Sequence, residues 1–274
     1  MVTIVADDHP LIPRNGRGSP PSREKVCWRR RPAFAPGAQL EVSFVFDSPV
    51  VDLSHPLRTG LPVYPGDPQV EVIPRLTHAE HGHSVTEIRM GTHDGTHMDA
   101  GYHFFADKPT LDQYPVERFV GSGVVLDLRS QPADTPVTPD TLRAAIDAAG
   151  GLHAGDFAVL WYGWDAHFGG DLMWRNPYLS EEAARLLVDA GVTLVGTDTP
   201  NVDSSTDLTA FPAHVALLGS GLLIVENLRG LDRLGAGRVD CAFLPLPLAA
   251  SDGAPVRAIA WPRADIAATE RSAE

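Results

Sequence analysis

Cysteine is nearly missing: Cys27 and Cys241 are the only two in 274 residues. Two thiols so far apart build neither a disulfide framework nor a thiolate metal cluster, which suits a reducing, cytoplasmic setting. Positive charge is short as well, with 22 Lys and Arg against 35 Asp and Glu and a net charge of −13. Such a chain lacks the phosphate-neutralising surface that nucleic-acid partners require. Long apolar runs are also wanting. The best stretch, Val215 to Val225, is eleven residues long, whereas a membrane span needs about 20. No Gly-x-Ser-x-Gly elbow occurs, which argues against a serine nucleophile.

What remains, 43% hydrophobic and 21% charged residues, suits one compact domain with a sizeable core. Residues 1–40 stand apart, with seven basic and three acidic residues and six prolines. A basic, Pro-rich, aperiodic stretch buries too little surface to offset its ordering entropy, so it reads as a mostly disordered tail before a folded domain at 41–274. Arg29-Arg30-Arg31 would suit an export signal, but Pro32, Pro36, Gly37 and Glu41 break any apolar region behind it.

From Glu41 onward short apolar runs alternate with amphipathic segments, the pattern of an α/β domain of mixed β-structure with flanking helices. Strands are expected at 42–46, 84–92, 123–128, 156–162, 192–197, 221–226, 239–244 and 255–261. Thr138 and Pro139 open one helix that Gly150 stops, and Ser180 with Glu181 and Glu182 opens another that Gly191 stops. A third is expected from Pro212 to Leu218.

Chemistry concentrates in residues 93–103, His-Asp-Gly-Thr-His-Met-Asp-Ala-Gly-Tyr-His, where His93, His97, Asp99 and His103 fall within eleven positions. All four positions are odd, so extended chain would face them one way and helix would scatter them. Four residues of strand span roughly 13 Å, too far for His93 and His97 to share one ion comfortably. A bend at Gly95 is therefore expected, with His93 ending strand 84–92 and His97 and Asp99 on a loop folding back over it. Two imidazoles and a carboxylate make an N/N/O site for a divalent metal, Zn²⁺ or Mn²⁺, with positions left open for water. His103 is then the general acid or base. Downstream, His214 and the strand-end Glu226 are candidates for a second ion that shares Asp99, giving one or two ions per chain. The alternative for Glu226 is a salt bridge to Arg229. His78, His81 and His83 read as a solvated loop, or else as the mouth of the site. Trp161, Trp164 and Trp174 serve either as an aromatic pocket or, for Trp161 above all, as core.

The segment His93 to Phe104 resembles the metal motif of the cyclase family of metal-dependent hydrolases, which includes bacterial kynurenine formamidases and isatin hydrolases. Asp52-Leu-Ser-His-Pro-Leu, Pro62-Val-Tyr-Pro-Gly-Asp67, Gly196 to Asp203, His214 to Leu228 and Pro255 to Ala260 extend the likeness over about residues 50–262. The resemblance implies a swivelling β/β/α-like fold, often a homodimer or homotetramer. It implies a first metal on His93, His97 and Asp99, and a second on Asp99, His214 and Glu226. His103 would be catalytic and Tyr64 would contact the substrate, a small aryl amide such as N-formylkynurenine. Three departures stand out: Tyr64 where formamidases usually carry tryptophan, Gly101 for the motif's proline, and Asn201 where many relatives have serine. A metal-assisted cyclase or dehydratase and a non-catalytic metal-binding protein are the other readings.

Overall fold

A computed structural model describes residues 49–263 of the chain. The tail 1–40, Cys27 and the expected strand 42–46 lie outside the described residues. The first half contains β1 (Val51–Asp52), β2 (Glu71–Leu76), α1 (His78–His81), β3 (Val85–Arg89), β4 (His97–Asp99), β5 (Val120–Asp127) and β6 (Pro136–Val137). The second half contains α2 (Pro139–Ala148), β7 (Phe157–Trp161), β8 (Tyr178–Leu179), α3 (Glu181–Asp189), β9 (Leu194–Thr197), α4 (Pro212–Gly219), β10 (Leu223–Glu226), β11 (Gly237–Pro245) and β12 (Gly253–Pro262).

Seven strands close into a barrel in the order β12-β11-β5-β7-β9-β10-β4, with β4 returning to β12 through Gly253↔Asp99 and Pro255↔His97. The pairs β5–β7, β7–β9 and β9–β10 are parallel and the others in the ring antiparallel. β1 adds to β12 beside β4, at Val51↔Ala260 and Asp52↔Ile259. Closure leaves few free sheet edges, and it puts a three-residue strand between two long-range partners.

Strand residues alternate between two cores. Val125, Phe157, Val159, Leu194, Val225, Cys241 and Phe243 fill the barrel, while Val124, Leu126, Ala158, Leu160, Val195 and Ile224 pack outward against α2, α3 and α4. Burial on both faces is why these strands read as continuous apolar runs. The barrel is full: a Cβ added at Gly123 would stand 2.9 Å from the Cys241 sulfur. Among the described residues no helix is long and apolar enough to cross a membrane.

Two expectations about the approach to the site are corrected. The strand expected at 84–92 ends at Arg89 and pairs only with β2, in a separate two-stranded hairpin. Its β-branched Val-Thr-Glu-Ile-Arg run buries neither face, and Val85 and Ile88 are exposed. His93 lies beyond it in a turn, where the Gly91 N–H donates to Asp94 Oδ2 at 2.5 Å. His97 and Asp99 are not on a loop either; they are the ends of β4 itself.

Candidate metal centre

β4 sends Met98 into the barrel core and turns His97 and Asp99 to the opposite face, the period-two consequence of a strand. β10 runs antiparallel beside it with Glu226 opposite His97. His214 enters from the first turn of α4. All four side chains are buried, none more than 4% exposed by residue. His93 joins from the turn, and Gly95 takes the positive φ of 67° that this reversal demands. The bend brings the His93 and His97 rings to 5.2 Å between centroids.

The imidazole nitrogens and carboxylate oxygens converge. His97 Nε2 lies 3.3 Å from Asp99 Oδ1 and 3.6 Å from Glu226 Oε2. His214 Nε2 lies 3.6 Å from Asp99 Oδ2 and 3.5 Å from Glu226 Oε1. These separations are long for hydrogen bonds. They match the roughly 3.4 Å edge of a tetrahedron of ligands about an ion with bonds near 2.1 Å. His93, His97 and Asp99 form one such set, and Asp99, His214 and Glu226 another, each with its ligand atoms within 4.8 Å of one another.

The far sides of the rings are pinned, which selects the tautomer. His97 Nδ1 donates to the Gly95 carbonyl at 2.9 Å, and His214 Nδ1 to Asp203 Oδ2 at 2.8 Å. Each Nε2 is thereby left facing the cluster, where it would offer its lone pair to a cation in place of a proton. Glu226 Oε1 accepts from the Val202 N–H at 3.0 Å. Among the described residues neither Asp99 nor Glu226 pairs with a lysine or arginine; Glu226 does not bridge to Arg229.

Positive charge is what this cluster demands. Burial works to lower the pKa of His97 and His214, but the adjoining carboxylates outweigh it, raising both and carrying His214 to about 10. His93 is likewise driven against burial to about 10 by Asp99 and Asp252. Burial and the neighbouring Asp99 push Glu226 up to about 7. A divalent cation supplies the same charge without protons, so the donor set fits a metal.

The centre floors a cavity of about 480 Å³ walled by Tyr64, Phe104, Asn201 and Phe211. Such a volume holds a small organic molecule. His103 sits on a 3₁₀ turn, Gly101–His103, its ring 4.0 Å from that of His93. Phe104 stacks on His214 at 4.9 Å and 19°. The Tyr64 hydroxyl is buried without a hydrogen-bond partner, and Trp174 meets its ring edge-on at 5.7 Å. Trp161 and Trp164 are core residues, and His78, His81 and His83 are exposed and do not line the cavity.

All seven candidate residues, Tyr64, His93, His97, Asp99, His103, His214 and Glu226, therefore line one cavity. Two carboxylates that contact these residues, Asp203 at His214 and Asp252 at His93, were not singled out in the sequence. Asp203 hides in a Pro-Asn-Val-Asp loop, and Asp252 in a Ser-Asp-Gly stretch that reads only as a turn.

The Cyclase family model matches residues 51–204. A kynurenine formamidase of Geobacillus thermodenitrificans is 34% identical over 220 residues, 77% of this chain and 96% of the relative. That of Salinibacter ruber is 32% identical over 215 residues, with the same two coverages. Isatin hydrolase A from Labrenzia aggregata, solved with benzyl benzoate, superposes with a TM-score of 0.72 at 26% identity, covering 78% of this chain and 93% of that one. A predicted metal-dependent hydrolase from Bacillus stearothermophilus gives a TM-score of 0.65 at 27% identity, covering 78% of this chain and 98% of that one. Ligand geometry, barrel and sequence likeness along nearly the whole length of these relatives agree, and the chain belongs to the cyclase family.

Proposed function

We propose that this chain is a metal-dependent hydrolase that cleaves the C–N bond of a small aryl amide, an N-formyl anilide of the N-formylkynurenine kind or a cyclic amide such as isatin. The observation that carries the reading is the meeting of three imidazoles and two buried carboxylates on the floor of an aromatic-walled cavity. The formamidase and isatin hydrolase relatives support the substrate class.

His93, His97 and Asp99 would hold a first ion, and Asp99, His214 and Glu226 a second, with Zn²⁺ or Mn²⁺ suited to the N/O donors. When bound, the cation supplies Lewis acidity toward a carbonyl oxygen and acidifies water near neutral pH. Tyr64, Phe104 and Phe211 orient the aryl ring and keep bulk water from it. His103, with Nδ1 3.7 Å from Asp252 Oδ2, is the group that takes the proton from the attacking water and passes it to the leaving nitrogen.

The test incubates purified protein, supplied with Zn²⁺ or Mn²⁺, with N-formylkynurenine, simpler formanilides and isatin. Turnover of an aryl amide is expected, and none with any of them would defeat the reading. His103→Ala should keep its metal and lose about 10²- to 10⁴-fold in kcat. An unchanged rate would remove His103 from the mechanism.

A further inference from the structure

Asp252 precedes β12 by one residue, and its carboxylate enters the wall of the cavity. Oδ2 accepts from His93 Nε2 at 3.0 Å and stands 3.7 Å from His103 Nδ1. Oδ1 accepts from the Thr92 hydroxyl at 3.0 Å. The two imidazoles it addresses lie nearly face to face, with 31° between their planes. The backbone fixes the arrangement. The Ala100 N–H donates to the Asp252 carbonyl at 2.9 Å. At Gly253 the chain passes so near His93 that an added Cβ would stand 2.7 Å from ring Cε1.

We propose that Asp252 is the positioning residue of this centre, a single carboxylate that sets both the ligand imidazole His93 and the proton-handling imidazole His103. With Nε2–H committed to Asp252, His93 turns Nδ1 to the cluster, where it donates to Asp99 Oδ1 at 2.7 Å and would offer its lone pair to a cation in place of that proton. The ring therefore meets a cation as the correct tautomer and without a search over rotamers. The same Oδ2 stands 3.7 Å from His103 Nδ1, an ion-pair rather than a hydrogen-bond separation, and that contact draws the His103 ring over His93. Binding of the ion and placement of the acid–base group thus depend on one side chain, itself anchored by Thr92. Among the described residues, no other side chain outside the two ligand sets is hydrogen-bonded or ion-paired with both rings.

The inference rests on the hydrolase reading, so its test measures metal binding separately from turnover. Zn²⁺ affinity is read by competition with a chromophoric chelator, and kcat and KM with an aryl amide. Asp252→Asn keeps the shape and one acceptor oxygen but loses the charge. It is expected to weaken Zn²⁺ binding and to lower kcat, each by about 10- to 100-fold, with KM little changed. Asp252→Glu should recover part of both. Thr92→Val, which frees Oδ1, should move both readouts the same way by less, at an unchanged thermal midpoint. A folded Asp252→Asn with wild-type Zn²⁺ affinity and kcat overturns the proposal, as does a loss confined to KM. Should Asp252→Asn not fold, Thr92→Val decides: no change in either readout overturns it. Wild-type protein that takes up no Zn²⁺ sinks the hydrolase reading and the proposal together. Wild-type protein that binds Zn²⁺ and hydrolyses aryl amides, matched by its Asp252 variants, sinks the proposal alone.

Discussion

Asp203 holds three donors at once: the N–H groups of Ala213 and His214 at 2.8 and 2.9 Å, and His214 Nδ1 at 2.8 Å. The first two are orphan donors of the α4 N-terminus, where the macrodipole favours an anion. The third is the back of a ligand ring. Asp203 therefore ties the start of a helix to the orientation of an imidazole, and Asp203→Asn should separate these effects. The variant keeps an acceptor but loses the charge, so the fold should survive while Zn²⁺ affinity falls about 10- to 100-fold. Chelator competition on the folded variant checks it; wild-type affinity would mean that packing alone orients His214. At this scale the ligands were legible because His93, His97, Asp99 and His103 cluster within eleven residues, and because a carboxylate such as Glu226 at the end of an apolar strand needs a partner. The supporting carboxylates were not legible, because Asp in a loop fits turn chemistry equally well.

Helices announced themselves through their punctuation. Thr138 and Ser180 cap α2 and α3 as expected, Ser180 by accepting from the Ala183 N–H at 3.1 Å. Ser180→Ala should cost about 1 kcal/mol, lowering the thermal midpoint by about 2–4 °C in a domain of this size, with activity unchanged. A midpoint equal to wild type would show that the packing of Ala183, Ala184 and Leu187 alone sets where α3 begins. Strands buried on both faces were equally legible, as in β7, β9 and β10. β4 was not. Three residues are too few for a period to register, and what makes them a strand is pairing to β10 and β12, more than 120 and 150 positions away in the register. The β2–β3 hairpin misled in the opposite sense: its β-branched composition is strand-like, yet β3 carries nothing to the site.

At the scale of the whole molecule, the metal centre and the closure of the barrel are the same piece of structure. β4 joins β10 to β12, and two of its three side chains, His97 and Asp99, belong to the ligand sets. Without a cation the cluster is a group of buried charges held in balance by protonated imidazoles, and that cost falls on the shortest strand of the ring. A ligand that binds only the folded chain adds RT ln(1 + [L]/Kd), about 2.7 kcal/mol at a hundredfold excess over Kd. At about 2–4 °C per kcal/mol, supplied Zn²⁺ should raise the thermal midpoint of chelator-stripped protein by about 5–11 °C. The gain has a definite pH sense. The carboxylates hold His93 and His214 protonated to about pH 10 in the cation-free cluster, so binding releases protons and weakens as acidity rises. The midpoint gain should therefore be larger near pH 8 than near pH 6. His97→Ala should reduce it at both, because that variant breaks the first ligand set while leaving the second, Asp99, His214 and Glu226, and the β4 backbone ladder in place. Differential scanning calorimetry of stripped and reloaded protein at the two pH values measures all of this. Equal midpoints with and without Zn²⁺ would mean that the cluster is a self-neutralised ion network rather than a metal centre.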